Sequence, residues 1–71
     1  MSIDNIYHMC DSLNVDCTFF VYREEDDYYE CSKRHTEYRG LYEFMPSHLA
    51  VAPIEGFKFS KDQETVFVLL A

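Results

Sequence analysis

Hydrophobic positions at the start of the chain recur every three or four places, at Ile3, Ile6, Tyr7, Cys10 and Leu13. That period predicts an amphipathic helix over residues 3 to 13. Ser2 stands where an N-cap belongs, Asp4 falls in the first turn, where the helix dipole favours negative charge, and Asn14 suits a left-handed end. Asp4, Asn5, His8, Asp11 and Ser12 make the polar side, so the apolar stripe is expected in the core.

From Val15 the period falls to two. Val15, Cys17, Phe19 and Val21 alternate with Asp16, Thr18, Phe20 and Tyr22, which predicts a strand over residues 15 to 23. Phe20 and Tyr22 stand on the face opposite Phe19 and Val21, so neither face is polar and the strand is central or covered on both sides. Residues 28 to 35 are expected to run back beside it, with Glu24, Glu25, Asp26 and Asp27 as a four-residue connection crowning a hairpin. Residues 36 to 45 form a further expected strand, with Gly40 as a bulge or turn.

Pro46 and Pro53 bracket residues 47 to 52, which fit either a short helix capped by Ser47 or a brief extended piece. Phe57 and Phe59, a polar turn at Lys61-Asp62-Gln63 and an apolar run from Glu64 to Leu70 predict a C-terminal hairpin. The expectation is an α+β fold, a single compact domain over residues 1 to 71. One N-terminal amphipathic helix packs on a small antiparallel sheet of about four to five strands. A single helix leaves aromatic sheet surface to be hidden by loops, by a second copy of the chain or by a partner.

Composition narrows the function. An apolar share of 48% with twelve aromatics excludes a disordered acidic tail. Thirteen acidic against six basic residues give a formal charge of −7, which disfavours direct binding to nucleic acid or to anionic membranes and attracts basic partners. The apolar runs near Phe19 to Tyr22 and Val66 to Ala71 are far shorter than the roughly 20 residues of a membrane-spanning helix. Three cysteines, Cys10, Cys17 and Cys31, without a basic then apolar leader, suggest a reduced, cytoplasmic protein.

The charge is concentrated. Five carboxylates, Glu24, Glu25, Asp26, Asp27 and Glu30, crowd around Tyr28 and Tyr29, and Glu37 is the nearest candidate to extend them, with Glu43, Asp16 and Asp11 beyond. Carboxylates accept bidentate hydrogen bonds from arginine and tyrosine rings offer π faces to the same cations, so this stretch is the candidate partner-binding surface. Lys33, Arg34 and Arg39 interrupt it and are expected to pair with neighbouring carboxylates. Zinc is the sharpest alternative, from Cys31 and His35 with Cys10 and Cys17, but no close Cys-x-x-Cys pair is present. No P-loop, dinucleotide turn or His-Glu-x-x-His motif occurs, so neither catalytic residues nor a cofactor are assigned and the chain is not expected to be an enzyme.

The short chain, the acidic balance, the dense aromatics and the run Glu24-Glu25-Asp26-Asp27-Tyr28-Tyr29-Glu30 resemble the small phage-encoded anti-CRISPR proteins, especially those that mimic DNA. The resemblance is one of character over the whole chain and transfers no residue by position. It implies a stoichiometric inhibitor, acting in the host bacterial cytoplasm, that fills the positively charged groove of a CRISPR effector and keeps target DNA out. Lys33-Arg34-His35 departs from the most acidic mimics, which favours a local plug over a long phosphate track. A second reading, from another class, is a self-associating antitoxin-like or accessory module using Val66 to Leu70 as its subunit contact; the chain is expected as a monomer or weak homodimer.

Overall fold

In the computed structural model, residues 1–12, 17–62 and 64–71 are described, the side chains of Cys10, Asp11 and Ser12 excepted. Helix α1 (Ile3–Ser12) opens the chain. Asn5 Oδ1 accepts hydrogen bonds from the Ser2 amide at 2.8 Å and the Ser2 hydroxyl at 3.1 Å, fastening the first turn. Ile3 and Ile6 are fully buried, as the periodicity requires. The expected core position Leu13, the Asn14 end and the strand start at Val15 lie outside the described residues.

Four strands follow among the described residues: β1 (Thr18–Tyr22), β2 (Tyr38–Leu41), β3 (Ile54–Phe59) and β4 (Thr65–Leu70). They form one sheet in the order β2-β1-β4-β3. β1 pairs antiparallel with β2, and β3 with β4, but β1 and β4 run parallel, with Phe20 opposite Phe67 and Tyr22 opposite Leu69. The fold is α+β as expected, and its sheet is mixed rather than wholly antiparallel. The two most apolar strands, β1 and β4, both take central positions, where each is covered on two faces.

One face carries Phe19, Val21, Val66, Val68 and Leu70, packed with Ile3, Ile6 and Leu49. Leu49 belongs to helix α3 (Ser47–Ala50), so the segment between the two prolines is helical, with Pro46 rather than Ser47 at its N-cap. Residues 36 to 45 do not form one long strand. Past β2 the backbone tightens into a 3-10 turn at Tyr42–Phe44, and Tyr42 stacks on Tyr7 of α1 with ring centroids 3.8 Å apart. The Tyr42 hydroxyl also donates to Asp4, which holds its pKa above the usual tyrosine value. That aromatic and polar anchorage explains why the strand ends at Leu41.

Gly40 has φ +150°, and a Cβ there would stand 2.9 Å from the Tyr38 hydroxyl. That hydroxyl bonds the Leu41 carbonyl at 2.6 Å and could shift, so it is the positive φ that calls for glycine here. At the other edge, β3 carries an irregularity between Ile54 and Gly56, and the β3 to β4 turn is closed by Ser60 N–H to the Thr65 carbonyl at 2.9 Å. β4, proposed above as a subunit contact, is flanked by β1 and β3, with Val66, Val68, Leu69 and Leu70 buried. Its apolar surface is spent inside the chain.

Phe19 is fully buried at the centre of the sheet, whereas Phe44 is 73% exposed. Phe19→Ala is expected to cost about 3–5 kcal/mol, a large part of the roughly 4–11 kcal/mol that a chain of this length commands. Phe44→Ala is expected to change stability by less than about 0.5 kcal/mol. Urea unfolding followed by circular dichroism measures both.

Candidate functional site

The opposite sheet face presents Phe20, Tyr22, Phe67 and Leu69, and the acidic stretch covers part of it. Residues Glu25–Glu30 form helix α2, where a hairpin connection and a returning strand were expected. Three causes favour the helix. Glu25, Asp26 and Asp27 occupy the first turn, where unpaired amides and the helix dipole attract negative charge. Tyr28 finds a buried seat on the sheet, 7% exposed, its ring edge-on to Tyr22 with centroids 6.1 Å apart. Cys31 then adopts a left-handed conformation, φ 54° and ψ 44°, which terminates the helix.

The termination has the pattern of a Schellman motif. Cys31 N–H donates to the Tyr28 carbonyl at 3.2 Å and Ser32 N–H to the Asp27 carbonyl at 3.1 Å. The loop beyond is well tied. The Tyr22 hydroxyl donates to the Ser32 carbonyl at 2.8 Å, the amides of Arg34 and His35 donate to Ser32 Oγ, and Arg39 Nη1 donates to the Lys33 carbonyl at 3.1 Å. Residues 28 to 35 therefore do not form a strand: half of them complete the helix and its cap, and the rest are held by bonds to Ser32 Oγ, Tyr22 and Arg39.

Of the candidate partner-binding residues, Glu24, Glu25, Asp26, Tyr29 and Glu30 are exposed, Asp27 is half-buried and Tyr28 is buried. The two tyrosines thus divide their labour. Tyr28 roots the helix in the core, and Tyr29, 65% exposed, stands at the surface. Among the described residues, none of the five carboxylates of residues 24 to 30 makes an ion pair. Glu37 does: Arg23 Nη2 and Nε donate to its two oxygens at 3.0 and 3.3 Å. That pairing, more than its charge, holds the Glu37 carboxyl below its usual pKa and removes it from the free anionic surface. Lys33, Arg34 and Arg39 make no ion pair among the described residues, so the expected neutralising role falls to Arg23 instead.

Lys58 is the residue that sequence reasoning missed. It faces Phe67 across the β3–β4 pair, and its ammonium lies 4.5 Å from the Tyr28 ring centroid, 5.8 Å from Tyr29 and 5.9 Å from Phe67. The hairpin alternation that sets Phe57 and Phe59 on one face already sends Lys58 to the other. What it meets there became visible only with α2 in place. Of the zinc candidates, the Cys10 side chain lies outside the described residues and Cys17 is buried; among the described residues no three His, Cys, Asp or Glu side chains gather closely enough to hold a metal. No described helix is long and apolar enough to cross a membrane.

The class that fold and site define is a small α+β domain bearing a short acidic helix on an aromatic sheet face. No protein-family model, curated protein or solved structure matches the chain.

Two outcomes follow from this geometry. Burial, with smaller effects from Cys31 and Asp27, pushes the Tyr22 hydroxyl up to about 12. The folded state therefore favours the neutral phenol, a contribution fully present below the unfolded value of about 10 and lost as pH rises towards 12. Urea midpoints are expected to fall across that window, and to fall less in Tyr22→Phe. Separately, Cys31→Gly relieves a left-handed non-glycine residue and is expected to raise stability by about 1 kcal/mol, read from the same unfolding curves.

Proposed function

We propose that this chain is an acidic inhibitory binding protein, cytoplasmic and non-enzymatic, that occupies a positively charged groove of a nucleic-acid-binding target. The observation that carries this reading is the outer face of α2, where Glu24, Glu25, Asp26 and Glu30 are exposed and make no ion pair among the described residues. Like charges held side by side repel one another, and a cationic groove relieves that repulsion while exchanging its own phosphate ligand for carboxylates. The resemblance to anti-CRISPR DNA mimics supports an effector complex as the target class, with DNA entry as the step blocked.

The helix is short, six residues, so the surface acts as a local plug. Its rooting through Tyr28 supports that role: the charged face is backed by the core, and little ordering entropy is lost when a partner arrives. Basic partners are also steered towards a chain of net charge −7, an effect that fades with salt.

The test is a pull-down from host lysate with the wild type beside a Glu25→Lys, Asp26→Lys, Glu30→Lys variant. All three positions are exposed, but Glu25 and Asp26 lie in the first turn of α2, so circular dichroism first establishes that the variant keeps its fold. A nucleic-acid-binding protein retained by the wild type, released by salt and lost in the variant is the expected result. Retention of the same partners by both proteins overturns the reading.

A further inference from the structure

The ammonium of Lys58 sits among three rings although the chain carries more than twice as many carboxylates as cations. Among the described residues it makes no ion pair. An ammonium is strongly hydrated and gains only modestly from resting on aromatic faces where solvent still reaches. A guanidinium suits such a place better, being flat, more weakly hydrated and able to stack while its edge donates to carboxylates.

The ring that stands at the surface is flanked by carboxylates along its own helix. Glu25 and Asp26 lie four and three residues before Tyr29, the spacing that brings side chains together on one helix face. Tyr29 is exposed, so the site is open on that side, while Tyr28 and Phe67 form its inner walls.

We infer that the rings of Tyr28, Tyr29 and Phe67 form a cation site, filled by Lys58 in the isolated chain and taken over by an arginine of the partner. Lys58 is then a built-in competitor that holds the rings together until that arginine arrives. The inference rests on the acidic-face reading above and names the partner group that the face receives.

The probe is an octa-arginine peptide, titrated calorimetrically at low salt into wild type, Lys58→Met and Lys61→Met, with and without Tyr29→Ala. Lys61 is exposed on the β3–β4 turn, so its replacement makes the same change in charge without emptying the site. Lys58→Met is expected to tighten binding about tenfold and Lys61→Met about twofold or less, the excess being the competition removed from the rings. Tyr29→Ala is expected to abolish that excess. Lys58→Gln serves as a second replacement, and circular dichroism selects the variants that keep the fold.

Equal gains from Lys58→Met and Lys61→Met, or a gain insensitive to Tyr29→Ala, overturn the cation site and leave the acidic face standing. Failure of every variant to bind the peptide overturns both.

Discussion

The rest of the structure depends on the double-sided hydrophobicity of β1. Phe19 and Val21 on one face and Phe20 and Tyr22 on the other must all leave water, and a single layer of helix covers only one side. α1 and α3 take the first face. The second is closed in part by α2, whose only buried residue is Tyr28. One aromatic contact, Tyr28 against Tyr22, thereby converts an acidic segment into a structural layer.

That solution explains how so much negative charge is tolerated next to an apolar sheet. The first-turn carboxylates interact with the open amides of the helix they begin, and their charged ends remain in water. Glu37 is withdrawn by Arg23, which closes the chain where the loop enters β2, with Glu37 N–H also donating to the Val21 carbonyl at 2.7 Å. The free anionic surface is consequently smaller than the composition alone suggests, and its densest run lies at α2. A compact charged face on a rigid base suits docking into a groove better than it suits wrapping along one.

The same packing couples the candidate surface to the core. Tyr28 belongs both to the second hydrophobic cluster and to the ring set around Lys58, and Tyr22 reaches past it to bond the loop that ends α2. Changes at the surface positions Glu25, Asp26 and Glu30 leave those contacts alone, whereas a change at Tyr28 touches fold and surface together. Glu30 therefore reports on binding, Tyr28 on folding and binding together, and the first-turn Glu25 and Asp26 also on the helix they begin. The distinction was invisible while all seven positions from Glu24 to Glu30 read as one polar tip.

Local periodicity was enough for α1, for β1 and for the β3–β4 hairpin, because Ile3 and Ile6, the Phe19/Val21 alternation and the turn after Ser60 each carry their signal within a few residues. It was also enough to require cover on both faces of β1 and to mark residues 24 to 30 as the charged feature. Three things needed tertiary structure. The parallel β1–β4 pairing joins residues more than forty positions apart, which no local pattern reports. The helical state of α2 depends on a seat for Tyr28 that exists only once the sheet is formed, so a six-residue acidic run read in isolation favours a solvated turn. The place of Lys58 among three rings follows from both, since it takes the hairpin register and the docked helix together to bring an ammonium over Tyr28, Tyr29 and Phe67.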